Sequence, residues 1–116
     1  VWSRTIDPDP VLLFRYSALT FNPHRIHYDQ PYCTGEESYP GLVVHGPLIA
    51  TLMVDLCRRS RPDAEIKKFS FRALSPLFVD HDMTLGDAPS DEGSSAAVWA
   101  ANDQGGLASQ GEVKFA

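Results

Sequence analysis

The sequence predicts a single α+β domain in which one apolar helix packs against an antiparallel sheet. Two patterns carry this prediction. After Gly46-Pro47, apolar residues recur at helical spacing: Leu48, Ile49, Leu52, Met53 and Leu56. From Glu65 onward the spacing becomes that of a half-buried strand, with Phe69, Phe71 and Ala73 alternating against Lys68, Ser70 and Arg72. An apolar helix face and an apolar sheet face can each bury the other.

The length of the chain supports one domain. Its 116 residues are 43% hydrophobic, which is enough for one modest core, so residues 1–116 are expected to fold together. The chain begins with Val1 rather than Met. We therefore expect a processed product, a trimmed chain or part of a longer polypeptide, and the sequence does not choose among these.

The first elements are an edge strand and a helix. Residues Trp2 to Ile6 predict the strand, and Asp7-Pro8-Asp9-Pro10 offers a cap and an initial proline for a helix over Pro10 to Leu19. We expect its apolar residues to share a face, with Arg15 and Ser17 mainly on others. These apolar residues are Val11, Leu12, Phe14 and Ala18.

The remaining elements are predicted from the residues that interrupt helices and strands and from the spacing of apolar residues. Residues 20–39 are rich in Asn, Pro, His and Gly and predict a functional loop with at most short helical turns. The apolar helix is expected from about Pro47 to Arg58. Further strands are predicted around 76–79, 83–87, 95–101 and 107–115, joined by turns at 91–93 and 102–106, so that the second half forms an antiparallel meander.

Composition excludes several classes of protein. No apolar run is long enough to span a bilayer, so no membrane partner is expected. The net charge of -5 argues against an extended nucleic-acid footprint. The cluster Arg58, Arg59 and Arg61 fits cations at a helix C-terminus, with a local phosphate site as the alternative. Cys33 and Cys57 are too few for a disulfide scaffold, and a reduced, packed Cys57 favours the cytoplasm.

The loop at 20–39 carries the strongest candidate for chemistry. His27 can exchange a proton near neutral pH, and Asn22 could orient a water molecule or a substrate hydroxyl. A histidine in a loop is also commonly structural. A second candidate is Gly46, because an amide at a helix start can polarise a carbonyl oxygen on which negative charge develops. An ordinary Gly-Pro helix entrance is the alternative for that segment.

Together these segments resemble the MaoC-like hydratase/dehydratase family, whose hotdog fold wraps a curved antiparallel sheet around a central helix. Its motif Asp-x-Asn-Pro-x-His-x-Asp aligns without gaps with Asn22-Pro-His-Arg-Ile-His27-Tyr-Asp29, and a His-Gly helix entrance follows at His45-Gly46. The segment from Leu74 to Leu85 looks like the following strand pair. The phrase Ser-Ala-Leu-Thr-Phe-Asn before His-Arg-Ile-His is most similar to mesaconyl-CoA and itaconyl-CoA hydratases and fungal-type 3-hydroxyacyl-thioester dehydratases, which often join two hotdog units.

The resemblance implies a carbon–oxygen lyase that adds water to an enoyl thioester or removes it from a 3-hydroxyacyl thioester. His27 would activate water, Asn22 would orient it, and the Gly46 amide would stabilise the enolate-like oxygen. Asn22 replaces the usual catalytic aspartate, and because an amide cannot exchange a proton as a carboxylate does, a two-base mechanism is disfavoured. Asp29 would orient His27, or lie exposed in the loop.

The resemblance also implies the substrate and partners. The substrate is expected to be an acyl-CoA, with a short branched or dicarboxylic acyl group slightly favoured, and Arg25, His45 and Tyr39 are candidates for binding it. No cofactor or metal is expected. The chain would form a homodimer or pair with a second hotdog unit, in the cytoplasm or, in a eukaryote, the mitochondrial matrix. The alternatives are a hotdog acyl-CoA thioesterase and a non-catalytic domain that binds acyl-CoA or stabilises a partner.

Overall fold

The computed structural model describes residues 2–116. In chain order its elements are β1 (Trp2–Ile6), α1 (Pro10–Leu19), a 3-10 turn (Arg25–His27), α2 (Gln30–Gly35), α3 (Gly46–Ser60), β2 (Ile66–Ala73), β3 (Met83–Pro89), β4 (Ser95–Ala101) and β5 (Leu107–Phe115). The predicted β1, α1, β4 and β5 are confirmed, and the 20–39 segment holds short helices as expected. The central helix is longer at both ends than predicted.

The five strands form one antiparallel sheet in the order β1-β3-β4-β5-β2. The predicted meander is correct for β3, β4 and β5, whose turns use Gly93 and Gly105 at positive φ. It is wrong for β2, which pairs with β5 at the far edge instead of with β3. The chain must therefore cross the sheet between the end of β2 and the start of β3.

That crossing contains the segment predicted as a strand at 76–79, and the prediction is wrong. Leu77 and Val79 are buried at alternate positions, which produces the pattern of a strand. However, the segment pairs with residues 42–44 through one isolated bridge, a Val44 N–H bond to Leu77 O and a Val79 N–H bond to Leu42 O. This short pairing holds the chain that enters α3, and thereby helps to position the site.

Helix α3 supplies the centre of the core. Its predicted apolar stripe is confirmed: Leu48, Ile49, Met53 and Leu56 are buried, and Leu52 is partly buried. The helix packs chiefly against β3. At its C-terminus, Arg59 pairs with Asp55 at 2.6 Å, which fits the structural interpretation of the basic cluster. No helix described within residues 2–116 is long and apolar enough to cross a bilayer.

The burial predicted for β2 and α1 is wrong in part. In β2, Phe69 is partly buried but Phe71 and Ala73 are exposed, because this strand lies at the sheet edge. In α1, Asp9 caps the helix by accepting from Leu12 N at 2.7 Å, as predicted. The buried residues of α1 are Leu13 and Ser17, whereas Val11, Phe14 and Ala18 are exposed. A buried serine on the inner face of a helix needs a polar partner.

Candidate active site

His27 is held by a hydrogen bond to the backbone. Its Nδ1 lies 2.6 Å from the carbonyl oxygen of Val43. A carbonyl oxygen can only accept, so Nδ1 carries a proton and Nε2 of the neutral ring does not. Within residues 2–116, Nε2 of His27 has no hydrogen-bond partner, but this nitrogen is not completely buried. The Val43 contact therefore fixes the ring with a basic nitrogen left free.

The 3-10 turn and the entry to α3 bring His27 and Val43 together. The two segments are joined by a Val43 N–H bond to Ile26 O at 2.9 Å, beside the side-chain bond of His27. Val43 N and O thus both face the 3-10 turn. The position of His27 depends on this pairing and not on Asp29, which was one expected orienting group.

Asp29 is occupied elsewhere. Its Oδ2 accepts from Arg25 at 2.8 Å, and its Oδ1 accepts from Tyr32 N at 3.1 Å as the cap of α2. These bonds hold the pKa of Asp29 below its ordinary value. The Arg25 guanidinium also lies 4.1 Å from the centre of the Tyr32 ring. Arg25 and Asp29 therefore brace the loop beside His27.

His45 stacks on His27. The centres of these two rings are 3.8 Å apart, and their planes differ by 19°. The Tyr16 ring meets the His45 ring edge-on, with 4.8 Å between the ring centres. His45 is fully buried, and its Nε2 lies 2.7 Å from Ser17 Oγ. Its ring does not reach solvent, so any part it takes in substrate binding must act through another residue.

Burial keeps both imidazoles neutral. It lowers the pKa of His27, opposed by the hydrogen bond to Val43 and assisted by the nearby charge of His24. It also lowers the pKa of His45 to about 4, and the proximity of His27 adds to this effect. At neutral pH, His27 is therefore unprotonated at Nε2 and able to take a proton.

Backbone hydrogen bonds hold Asn22 at the end of α1. Its N–H donates to Ser17 O at 2.9 Å, and Phe21 N–H donates to Ala18 O. The Asn22 side-chain Oδ1 accepts from His24 N at 3.0 Å, which leaves its amide hydrogens available. Asn22 and Ser17 both line a cleft of about 320 Å³ whose walls include Phe14, Phe21 and Tyr28. The cleft is thus mainly apolar, and Ser17 and Asn22 contribute polar groups to its lining.

Gly46 is the first residue of α3, and His45 occupies the cap position. The first amides of a helix have no intrahelical acceptor. A Cβ placed on Gly46 would meet nothing within 4 Å, so the space beside its Cα is open. Tyr39, the remaining predicted binding residue, is half-buried, and its ring faces Phe78 at 6.1 Å.

The site therefore brings together His27, His45 and the start of α3, and sequence reasoning missed Ser17. The family phrase Ser-Ala-Leu-Thr-Phe-Asn begins with this serine but assigns it no role, and the apolar spacing of α1 placed it on an outer face of the helix. The segment preceding His27 did contain the serine, but only its pairing with His45 shows its position in the site. Within residues 2–116, no three His, Cys, Asp or Glu side chains are arranged to hold a metal ion.

Known proteins are similar to this chain in sequence. The profile of the family described as hydroxyacyl-thioester dehydratase type 2 matches residues 1–79. The mesaconyl-C(4)-CoA hydratase of Chloroflexus aurantiacus is 64% identical over 78 residues, or 66% of this chain. The mitochondrial hydroxyacyl-thioester dehydratase type 2 of Schizosaccharomyces pombe is 45% identical over 80 residues, or 67% of this chain. Each match covers 27% of the relative, about a quarter of its length.

Solved structures share the fold. An (R)-hydratase from A. caviae superimposes with a TM-score of 0.83 at 20% identity, covering 97% of this chain and 89% of that one. A MaoC-like dehydratase superimposes with a TM-score of 0.79 at 17% identity, covering 100% of this chain and 39% of the other. The predicted hotdog fold is confirmed. With the profile match over residues 1–79, these findings show that the chain belongs to the hydroxyacyl-thioester dehydratase type 2 family.

Proposed function

We propose that this domain catalyses the reversible hydration of an enoyl thioester, or the dehydration of a 3-hydroxyacyl thioester, as a carbon–oxygen lyase. The observation that carries the proposal is the His27–Val43 hydrogen bond, which leaves an unprotonated Nε2 on a largely buried ring without enclosing that nitrogen completely. Family membership supports the same chemistry. The relatives named above are a hydratase and a dehydratase of acyl thioesters.

The proposed reaction uses His27 as its one base and acid. Nε2 takes a proton from water while the water oxygen bonds to the β-carbon and the π electrons move to the thioester oxygen. The protonated Nε2 then gives its proton to the α-carbon as the electron pair returns. Asn22 cannot exchange a proton, and its Oδ1 is engaged by His24 N, so it would orient water by donating from Nδ2. Dehydration reverses these steps.

The start of α3 would stabilise the charge that develops on the thioester oxygen. The Gly46 N–H lies at the positive end of a 15-residue helix, and the space beside the Gly46 Cα is open. Pro47, which follows, has no N–H to offer. A preorganised amide at this place would favour the enolate over the ground state, which is the requirement for faster turnover.

The substrate we propose is an acyl-CoA, with a short branched or dicarboxylic acyl group. The mesaconyl-C(4)-CoA hydratase that matches at 64% identity supports this choice. Arg25, which remains partly exposed beside Asp29, and Tyr39 are proposed to contact the acyl or carrier portion. We also propose that residues 1–116 form one hotdog unit that pairs with a second unit, in the cytoplasm or the mitochondrial matrix.

Replacing His27 with Gln tests the proposal. The variant keeps some hydrogen bonding but removes proton transfer, so turnover of crotonyl-, mesaconyl- or itaconyl-CoA should fall by about 10²- to 10⁴-fold. The assay follows loss of enoyl absorbance, with mass spectrometry of products and a thiol reagent. Release of free thiol without hydration would indicate the thioesterase alternative.

The matched control is His81→Gln. His81 is exposed and pairs with Asp103 at 3.0 Å, outside the site, so this variant should retain near-normal turnover. Melting temperatures of both variants establish that they are folded. Near-normal hydration by folded His27→Gln protein would contradict the mechanism, and absence of any reaction in the unaltered protein would support a non-catalytic domain.

A further inference from the structure

The hydrogen-bond partners of His45 determine its tautomer. Its Nδ1 is buried and has no partner among residues 2–116, whereas its Nε2 lies 2.7 Å from Ser17 Oγ. A proton on Nδ1 would leave a buried N–H without an acceptor. A proton on Nε2 instead makes a hydrogen bond and leaves only an unpaired lone pair, which is less costly than an unpaired N–H. Neutral His45 therefore donates from Nε2 to Ser17.

The tautomer of His45 defines the role of Ser17. Since Ser17 Oγ accepts from His45, its own hydrogen must point elsewhere. Thr20, at the C-cap of α1, donates its hydroxyl hydrogen to the backbone oxygen of Tyr16. Among residues 2–116, the side-chain hydroxyl of Ser17 has one hydrogen-bond partner, which is His45 Nε2. Ser17 lines the apolar cleft together with Asn22, so its hydrogen is available to a ligand there.

The position of His45 relates this hydroxyl to the start of α3. His45 directly precedes Gly46, and its ring connects Ser17 to the helix entrance. The attacking water cannot take hydrogen bonds from both Asn22 and Ser17, because it donates to His27 and needs one lone pair for the new bond to carbon. Every acyl thioester has one other oxygen at the reacting end, which is its carbonyl oxygen.

We infer that the Ser17 hydroxyl is a second donor to the thioester carbonyl oxygen, beside the Gly46 N–H, and that His45 is its positioning residue. This inference rests on the proposed function. The low pKa of His45, about 4, keeps its ring neutral and preserves the directed Nε2–H at neutral pH. The neighbouring titratable groups are His27, stacked on the ring, Tyr16 at its edge and His24 beyond His27.

Ser17→Ala and Ser17→Thr form the central test. The alanine removes the donor, and we expect kcat to fall on the order of 10- to 100-fold with a smaller change in KM, because the bond strengthens as charge develops. The threonine retains a hydroxyl and should recover most of the loss. A purely structural role would lower the melting temperature without this split between kcat and KM.

Two further variants complete the test. Thr20→Ala removes a hydroxyl from the same helix that bonds only to the backbone, and it should change kcat by less than about twofold. His45→Phe retains a ring on His27 but cannot orient Ser17. Combined with Ser17→Ala, it should cause little additional loss, since the two residues act as one unit. If His45→Phe fails to fold, the serine variants still decide the matter.

A binding measurement separates this inference from the proposed function. Calorimetry with butanoyl-CoA, which has a thioester oxygen but no double bond, should show a Kd about 3- to 10-fold higher for Ser17→Ala than for the unaltered protein. If the protein hydrates no enoyl thioester but shows this difference, the reaction is wrong and the donor is retained. Unchanged kcat and Kd in folded Ser17→Ala protein, or no recovery with threonine, would overturn the inference.

Discussion

Two stacked imidazoles differ in chemistry because each has a different partner. His27 donates from Nδ1 to a backbone carbonyl, which leaves Nε2 basic, whereas His45 faces Ser17 through Nε2. Ring contact at 3.8 Å makes a second positive charge unfavourable once one ring is protonated. The pair is therefore expected to carry at most one positive charge in the working range of pH, and we expect His27, whose Nε2 is free, to be the ring that titrates during reaction.

The stability of the fold should depend on this pair. In the unfolded chain a histidine takes a proton near pH 6.5, but folded His45 does so only at about 4. Above pH 6.5 the ring is neutral in both states, and the free energy of unfolding has its full value. As pH falls toward 4, the unfolded chain takes the proton first, and the free energy of unfolding decreases by up to about 3 kcal/mol. The lowered pKa of His27 also decreases the free energy of unfolding as pH falls.

Urea unfolding between pH 4 and 7 measures this dependence. The matched variant is His45→Gln, which removes one titrating ring and should flatten the curve relative to the unaltered protein. Carboxylates titrate in both proteins, so the difference between the curves isolates His45. Parallel curves over this range would contradict the assignment of a strongly lowered pKa.

At the scale of elements, the end of α1 is built around a strained residue. The Asn22 N–H to Ser17 O and Phe21 N–H to Ala18 O bonds form a Schellman motif, in which a residue with positive φ ends the helix. That residue is Phe21, with φ of 53° and 92% exposure, where glycine is usual. Phe21 also lines the cleft, and we propose that contact with a ligand there is the reason for keeping a bulky residue in this conformation.

Phe21→Gly should therefore stabilise the fold and weaken substrate binding. Removing the side chain from a left-handed position is expected to raise the free energy of unfolding by about 1 kcal/mol. Phe21→Ala removes the same ring but keeps a Cβ in the strained conformation, so it should give little gain. Both variants should raise KM. Equal stability of the two variants in urea would show that strain at this position is unimportant.

A second element depends on a buried charge. Asp87 on β3 is fully buried, and it receives Ser60 Oγ–H at 2.9 Å and the Arg61 guanidinium at 3.4 Å just after α3. The pair joins the end of α3 to the sheet. Burial and Asp87 raise the pKa of Cys57 to about 11, which keeps this free thiol protonated, in agreement with its predicted packing role.

Arg61→Met should leave the Asp87 charge without its cation. We expect a loss of about 2–3 kcal/mol in the free energy of unfolding, because a buried carboxylate with one partner removed is costly. The control is Arg59→Met, which breaks the more exposed pair with Asp55 and should cost no more than about 1 kcal/mol. Similar losses for both variants in urea titrations would contradict the importance of burial at Asp87.

At the scale of the molecule, the domain leaves large apolar side chains uncovered around the site. Phe14 and Leu19 on α1 are 61% and 80% exposed, and Phe21 follows them. Phe14 and Phe21 line the same cleft, and an exposed apolar surface of this kind commonly meets a ligand or another protein unit. The matched part also represents about a quarter of each curated relative. Both facts support the proposed pairing with a second hotdog unit.

Sedimentation velocity over a range of protein concentration tests the pairing. We expect the active species to be a dimer, or a chain with two hotdog units, because a small domain gains stability from added buried area. The specific activity should fall as a dimer dissociates on dilution. Full activity in a fraction that sediments as one 12.8 kDa unit would contradict the prediction.

The sequence by itself determined the α+β class, the apolar face of α3, the turns of the meander and the family, since each depends on local spacing or on a contiguous motif. It also identified His27 and Gly46 as candidates for chemistry. Local spacing could not place β2 beside β5, nor distinguish the 76–79 segment from a strand, because alternation reports burial and not the identity of the pairing partner.

Tertiary structure alone decided which groups act on one another at the site. Ser17 is separated from His45 by 28 positions, and His27 from Val43 by 16, so no local pattern relates them. The tautomer of each ring depends on those contacts, since a carbonyl can only accept and a buried N–H requires an acceptor. For that reason the residue types in the sequence were sufficient to suggest an acid–base reaction, and only the folded chain assigned its protons.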